Sequence, residues 1–322
     1  MWTAEMPSNI ALIKYMGKKP EGVNRPTNAS FSWTLNHLKT KVVIEASQKS
    51  GDIWLPLKTP YPFQMSDEGK RRYIQHFHRM KNHFGIHDSF VISSGNNFPA
   101  DCGIASSASS FAALTEASSL ALSELSGRKI DTETKAELSS QGSGSSCRSF
   151  YKGWVLWDGG KIQSVSTPYD DLLHMVVIAG DKSKKVSSSQ AHKLVPSSPL
   201  FLGRVERAEK RLQDFMQAMK TKSWRDLYEI AWTEFWDMHA LFETSHPAFG
   251  YFLPGTIHAL NSARSFWSQM NDGPLVTMDA GPNVHLLWRE DQKDQALDYF
   301  NKSLQGKLTC LSNLEEIGFA KV

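Results

Sequence analysis

The chain has 322 residues, of which 21% are charged, a formal net charge of +3 and three cysteines. That length buries a full core, as one large domain or two closely packed ones, and the charge is too small to argue for nucleic acid or a membrane surface as a partner. Cys102, Cys147 and Cys310 are an odd number without CxxC spacing, which reads as a reduced cytoplasmic protein with no disulfides. The opening MWTAEMPSNIALIKYMGKK lacks the basic and apolar segments of a signal peptide. Apolar runs such as LLHMVVIAG fall far below the roughly 20 residues of a membrane span.

In chain order, an apolar run at 9–13 leads into Lys14, Tyr15 and Lys18. Strand-like patterns follow at 41–46 and 89–94, helical periods at 70–84 and 109–125, and further strand-like runs at 153–157 and 173–179. Beyond about residue 181 the pattern changes. Long amphipathic helices at 202–220 and 224–242 and a helix at 256–270 precede strands at 275–278 and 284–289 and a last helix at 291–304. Strands and helices recur without a βαβ beat, so the expected class is α+β, with a soft boundary separating 1–180 from 181–322.

Four short stretches carry chemistry. NNFPADCGIASSAS, at 96–109, joins a strand to an apolar helix, and its glycine and the helix N-terminus suit a phosphate. It is not a Walker A loop, and its serines serve equally as a helix cap. GSGSSCRS, at 142–149, sets Ser143 and Ser145 on a flexible backbone near Arg148, an anion clamp or a surface loop with a solvated arginine. Lys14 inside an apolar run asks for a buried carboxylate or an anion, unless it snorkels. Asp279, in MDAGPN at 278–283, is either turn chemistry or that carboxylate. The lysines at 182–185 read as a solvated face, and His76 and His78 as structural rather than zinc ligands.

Taken in order with PTNASFSWTL at 26–35 and SSPL at 197–200, these stretches resemble the mevalonate diphosphate decarboxylase family of the GHMP kinase superfamily. The resemblance spans nearly the whole chain. It departs at Met16, where the family usually has tryptophan, and at Ala100-Asp101-Cys102 before the loop glycine, and it is weak over 36–69.

The resemblance implies a two-part GHMP fold, with an N-terminal α/β half bearing the phosphate loop, a C-terminal helix-rich half bearing the catalytic aspartate, and the cleft between them. It implies ATP and Mg2+ as cofactors, mevalonate 5-diphosphate as substrate, isoprenoid biosynthesis as the setting and a homodimer as the assembly. Asp279 would align or deprotonate the tertiary hydroxyl, with Lys14 as its partner. Arg148 would hold the substrate carboxylate with help from Asn9, and Tyr15, Lys18, Ser143 and Ser145 its diphosphate. Pro99, Gly103, Ala105, Ser106, Ser107 and Ser109 would hold the nucleotide, with Ser107 also reaching the metal. Decarboxylation needs an electron sink, and without an identifiable PLP or thiamine site the sink must be made on the substrate, by phosphorylating its hydroxyl. Mevalonate 3-kinase, phosphomevalonate decarboxylase and an inactive nucleotide-sensing module are the competing expectations.

Overall fold

In the computed structural model of the chain, which describes residues 1–19, 24–62, 65–99, 106–180, 184–315 and 317, the first sheet is organised by one long strand. Strand β2 (Ser30–Ala46) pairs along one edge with β1 (Trp2–Ile13). Its other edge is shared by β4 (Phe90–Asn96) and β5 (Trp154–Asp158). The outer strands are β3 (Ile53–Pro56), parallel to β4, and β6 (Lys161–Val165), antiparallel to β5. Residues 30–35 are buried on both faces, which explains why serines and threonines alternate there with Phe31, Trp33 and Leu35. Helices α1 (Asp67–Phe84) and α2 (Ser106–Ser126) cover one face, packing Tyr73, Phe77, Phe111 and Leu114 on Val42, Ile44 and Ile92. Helix α3 (Thr132–Gly142) leads into a 3₁₀ segment, Gly144–Phe150.

The second sheet is antiparallel, in the order β10 (Thr309–Ser312), β7 (Leu172–Ile178), β9 (Val284–Arg289), β8 (Leu275–Thr277). Around it lie the short α4 (Ser188–Leu194), then α5 (Arg204–Lys220), α6 (Trp224–Glu243) and α7 (Pro254–Met270), and α8 (Lys293–Tyr299) running on into a π turn. The mixed, mostly antiparallel architecture is the α+β class expected. Among the described residues, no helix is long and apolar enough to cross a membrane, and Cys147 and Cys310 are buried free thiols.

One apolar cluster crosses from sheet to sheet, joining Ile10, Leu12, Phe31 and Trp154 to Phe215, Leu227, Leu275 and Leu287. At full burial each such side chain contributes on the order of 1.5–3 kcal/mol, so the sheets are fixed against one another. Polar groups cross the same boundary. Thr277 Oγ1 donates to Ala11 O at 3.0 Å, and His174 shares hydrogen bonds with His37 at 3.1 Å and His285 at 3.0 Å.

Candidate active site

The register of β1 shifts between Ala11 and Ile13, a bulge that ends the strand and re-aims the chain just before Lys14. Lys14 is buried, and its Nζ donates to Ala11 O and to Asp279 Oδ1, both at 2.7 Å. Asp279 stands beyond β8, 265 residues away in sequence. Its side chain is 30% exposed against 3% for Lys14, so the carboxylate faces the cleft with the ammonium behind it. Oδ2 carries no protein hydrogen bond among the described residues. Burial pushes the Asp279 carboxyl up, but the charge and hydrogen bond of Lys14, with His285 and Arg148, outweigh it and hold the group below its ordinary value. Burial lowers the Lys14 amine, against the attraction of Asp279. An ionised carboxylate with a free oxygen, backed by a dry cation, is equipped to accept a proton.

Arg148 forms the next wall. It is 3% exposed; Nε and Nη2 donate to Asn9 Oδ1 at 3.2 and 3.1 Å, and Nη1 donates to Ser30 Oγ at 2.7 Å. A guanidinium has five N–H groups, so two remain to grip a planar anion. Asn9 is itself fixed, donating to Ser145 O and Ser149 Oγ. The serine stretch that reads as a flexible loop is a tight 3₁₀ turn with Arg148 inside it. Ser146 Oγ, which donates to Ser143 O at 2.6 Å, ties it together. Ser143 and Ser145 hydroxyls lie 3.3 Å apart, and Ser143 Oγ reaches Ser107 Oγ at the N-terminus of α2 at 3.5 Å. Both serine motifs therefore meet at one point. With no acidic residue in its first turn, α2 presents that point with the positive end of its dipole.

A cavity of about 200 Å³ joins these groups, lined by Lys14, Tyr15, Lys18, Arg72, Ser106, Ser107, Ser143, Ser145, Arg148, Lys184, His192 and Asp279 among others. Burial, with Arg72 and Lys193 nearby, lowers the Lys18 amine to about 8. Crowded cations of this kind are relieved by an anion. Tyr15 stacks on His192 and meets Trp157 edge-on. A Cβ on Gly144 would fall 2.4 Å from its hydroxyl, so only glycine lets Tyr15 lie there. Among the described residues no three His, Cys, Asp or Glu side chains gather to hold a metal ion. The serine hydroxyls at the α2 terminus suit Mg2+ that keeps its waters and arrives on phosphate oxygens. A larger cavity, about 410 Å³ between α7 and α8, contains none of these residues.

The structure brings Lys14, Tyr15, Lys18, Ser106, Ser107, Ser143, Ser145, Arg148 and Asp279 to this cavity. Two expected members stand behind it. Asn9 is buried and supports Arg148, while Ser109, at 0% exposure, bonds Thr40 Oγ1 and donates to Ser106 O, because α2 starts at Ser106 and turns position 109 onto the sheet. Pro99 lies outside the cavity lining, and Gly103 and Ala105 fall outside the described residues. Of the lysines at 182–185, Lys182 falls outside the described residues, and Lys184 is not simply solvated, since it donates to Ala280 O at 2.7 Å and lines the cavity. His76 is packed against Thr115, and His78 faces Asp52. Arg72 and His192 went unread in the sequence. One looks like an ordinary charge on an amphipathic helix, and the other sits on a helix too short to show a period.

Comparison with known proteins supplies the family. The family descriptions "Diphosphomevalonate decarboxylase-like N-terminal domain" and "Mevalonate 5-diphosphate decarboxylase C-terminal domain" match residues 6–168 and 174–317. The chain belongs to the diphosphomevalonate decarboxylase family. A crystal structure of a mevalonate diphosphate decarboxylase from Legionella pneumophila is 48% identical, covering 96% of this chain and 99% of that one, with a TM-score of 0.91. The diphosphomevalonate decarboxylase of Debaryomyces hansenii is 28% identical over 93% of this chain and 83% of its own length. A structure of MDDEF in complex with MVAPP, AMPPCP and magnesium is 26% identical, covering 97% and 96%, with a TM-score of 0.85. The two-part fold of this decarboxylase family is thus the fold of the chain.

Proposed function

We propose that the chain catalyses the ATP-dependent decarboxylation of mevalonate 5-diphosphate to isopentenyl diphosphate, with release of ADP, phosphate and carbon dioxide. The observation that carries this reading is the Lys14–Asp279 pair, 2.7 Å apart, in one cavity with Arg148 and two converging serine motifs. The family's named activity and the MVAPP, AMPPCP and magnesium complex support it. ATP supplies the phosphoryl group that turns the tertiary hydroxyl into a leaving group, and Mg2+ neutralises its phosphates.

Asp279 Oδ2 accepts the hydroxyl proton, and Lys14 keeps the carboxylate ionised until that moment. Arg148 takes the substrate carboxylate on its two remaining N–H groups, holding it in line as the carbon–carbon bond breaks. Tyr15, Lys18, Ser143 and Ser145 bind the substrate's diphosphate, joined by Arg72 and His192. Ser106, Ser107 and the α2 N-terminus hold the nucleotide phosphates, and Ser107 contributes its hydroxyl toward the metal. Most of the acceleration comes from positioning and charge neutralisation. Cytoplasmic location, homodimeric assembly and a role in isoprenoid and lipid biosynthesis go with this reading, as does a division into 1–180 and 181–322.

The test is incubation with ATP, Mg2+ and, in turn, mevalonate, its monophosphate and its diphosphate, assaying ADP and carbon dioxide together. Both products with the diphosphate are expected. ADP without carbon dioxide would make the chain a kinase, and turnover of the monophosphate alone would reassign the serine pair. Asp279→Asn should abolish both products together, by roughly 100- to 10,000-fold. ADP formation that survives while carbon dioxide fails would move Asp279 to the second step.

A further inference from the structure

A single helix touches both members of the Lys14–Asp279 pair. Glu234, on α6, accepts the backbone N–H of Lys14 at its Oε1, 3.0 Å away. His239, on the same helix, donates from Nε2 to the backbone carbonyl of Asp279 at 3.1 Å. Glu234 is wholly buried and paired with Arg204, whose Nη2 donates to the carbonyl of Lys14 at 2.9 Å. Arg211 adds a second cation on Glu234 Oε2 at 2.8 Å. Both backbone polar groups of Lys14 are thus gripped by one buried ion pair, while the next turn of the helix holds Asp279.

A buried ion pair is weak evidence of stabilisation, because desolvation offsets most of the attraction and well-packed apolar residues often do as well. Its gain here is geometric. Lys14 comes from the first sheet and Asp279 from the second, and a helix is a rigid spacer rising about 1.5 Å per residue. We infer that Glu234 and His239 are positioning residues, through which α6 sets the separation of Lys14 Nζ from the Asp279 carboxylate. His239 suits the task. Burial, then the nearby Lys14 charge, hold its imidazole down to about 3, so the ring donates while neutral across the working pH range. The inference rests on the reading of Lys14 and Asp279 as the reacting pair.

The experiment compares the wild-type chain with His239→Leu, His239→Gln and Glu234→Gln. Turnover of the diphosphate is measured alongside acetylation of Lys14 by acetic anhydride, which is read by peptide mass spectrometry and needs no substrate. A glutamine amide can replace the imidazole Nε2–H donor, and leucine cannot. His239→Leu should lower kcat roughly 10- to 100-fold, with KM for ATP and substrate changed less than about threefold, as expected for a misplacement near 1 Å. Lys14 should acetylate several-fold faster, and His239→Gln should restore most of both. Glu234→Gln, which keeps an acceptor for Lys14 N–H but loses the Arg204 pairing, should give an intermediate loss and carries the test if His239→Leu does not fold.

Unchanged kcat and labelling in His239→Leu, or a glutamine variant as impaired as the leucine, overturn the inference. If the wild type turns over none of the three substrates, the functional reading fails, and the labelling contrast alone decides the positioning role.

Discussion

Lowering the pH from 7.5 to 5.5 should cost the fold about 4 kcal/mol through three imidazoles buried without charge. His76, His174 and His239 are at most 1% exposed. Burial is the main reason each sits far below the ordinary imidazole value, with Arg79 adding for His76, His37 for His174 and Lys14 for His239. His76 and His239 come down to about 3. In the unfolded chain the same rings titrate near about 6.5. The folded values are the lower ones, so the unfolded state binds more protons between the two. Stability is therefore fully present above about pH 6.5 and is lost as pH falls.

Each ring contributes about 1.4 kcal/mol over the interval, and the three together are a large share of the 5–15 kcal/mol typical of a native fold. The depressed carboxylates Asp237, Asp272 and Asp279 act below about pH 4 and do not confuse the window. Calorimetric unfolding at pH 5.5, in buffers of different ionisation enthalpy, should find about three or more protons taken up. Urea midpoints followed by tryptophan fluorescence should fall between the two pH values. A flat midpoint with no proton uptake would refute the neutrality of these rings.

Three further outcomes follow from the cavity. Arg148→Lys should keep the fold and lose about 2–4 kcal/mol of transition-state stabilisation, because a point charge cannot both hold Asn9 and Ser30 and grip a carboxylate; near wild-type turnover would remove Arg148 from the site. Ser107→Ala should raise the apparent KM for ATP or lower turnover without lowering Tm, since the helix keeps its backbone donors, and no change in either assigns Ser107 to capping alone. Gly144→Ala should displace Tyr15 from its stack on His192, raising KM for the substrate and destabilising by about 1–3 kcal/mol. An unchanged Tm and KM would show that the ring moves freely.

The sequence was most legible where apolar periods run long, as in α5, α6, α7 and the paired strands β7 and β9. Strand β1 hides because Pro7 sits at a register shift, breaking its alternation. The first half of β2 hides because both of its faces are buried, so its inward serines and threonines imitate a loop. Residue chemistry nominated Lys14, Arg148 and Asp279, but not how they meet. The carboxylate that a buried lysine requires could be named, whereas the place of Lys14 behind Asp279 depends on the docking of two sheets. Burial also inverted one expectation, since the Gly/Ser stretch around Arg148 is a tight turn in which Ser146 Oγ and Cys147 Sγ donate to the carbonyls of Ser143 and Gly144. The helix that grips both partners gave no signal, because Glu234 and His239 sit within an ordinary amphipathic pattern.

The row of rings from His37 through His174 to His285 has a direction. A neutral His174 carries one proton and has a neighbour at each nitrogen, so it donates to one and accepts from the other. If the proton sits on Nδ1, both hydrogen bonds point toward His37; if it sits on Nε2, both point toward His285. No ring can reverse without the other two, so the seam between the sheets carries a collective dipole whose sign is stored in the tautomer of one buried side chain.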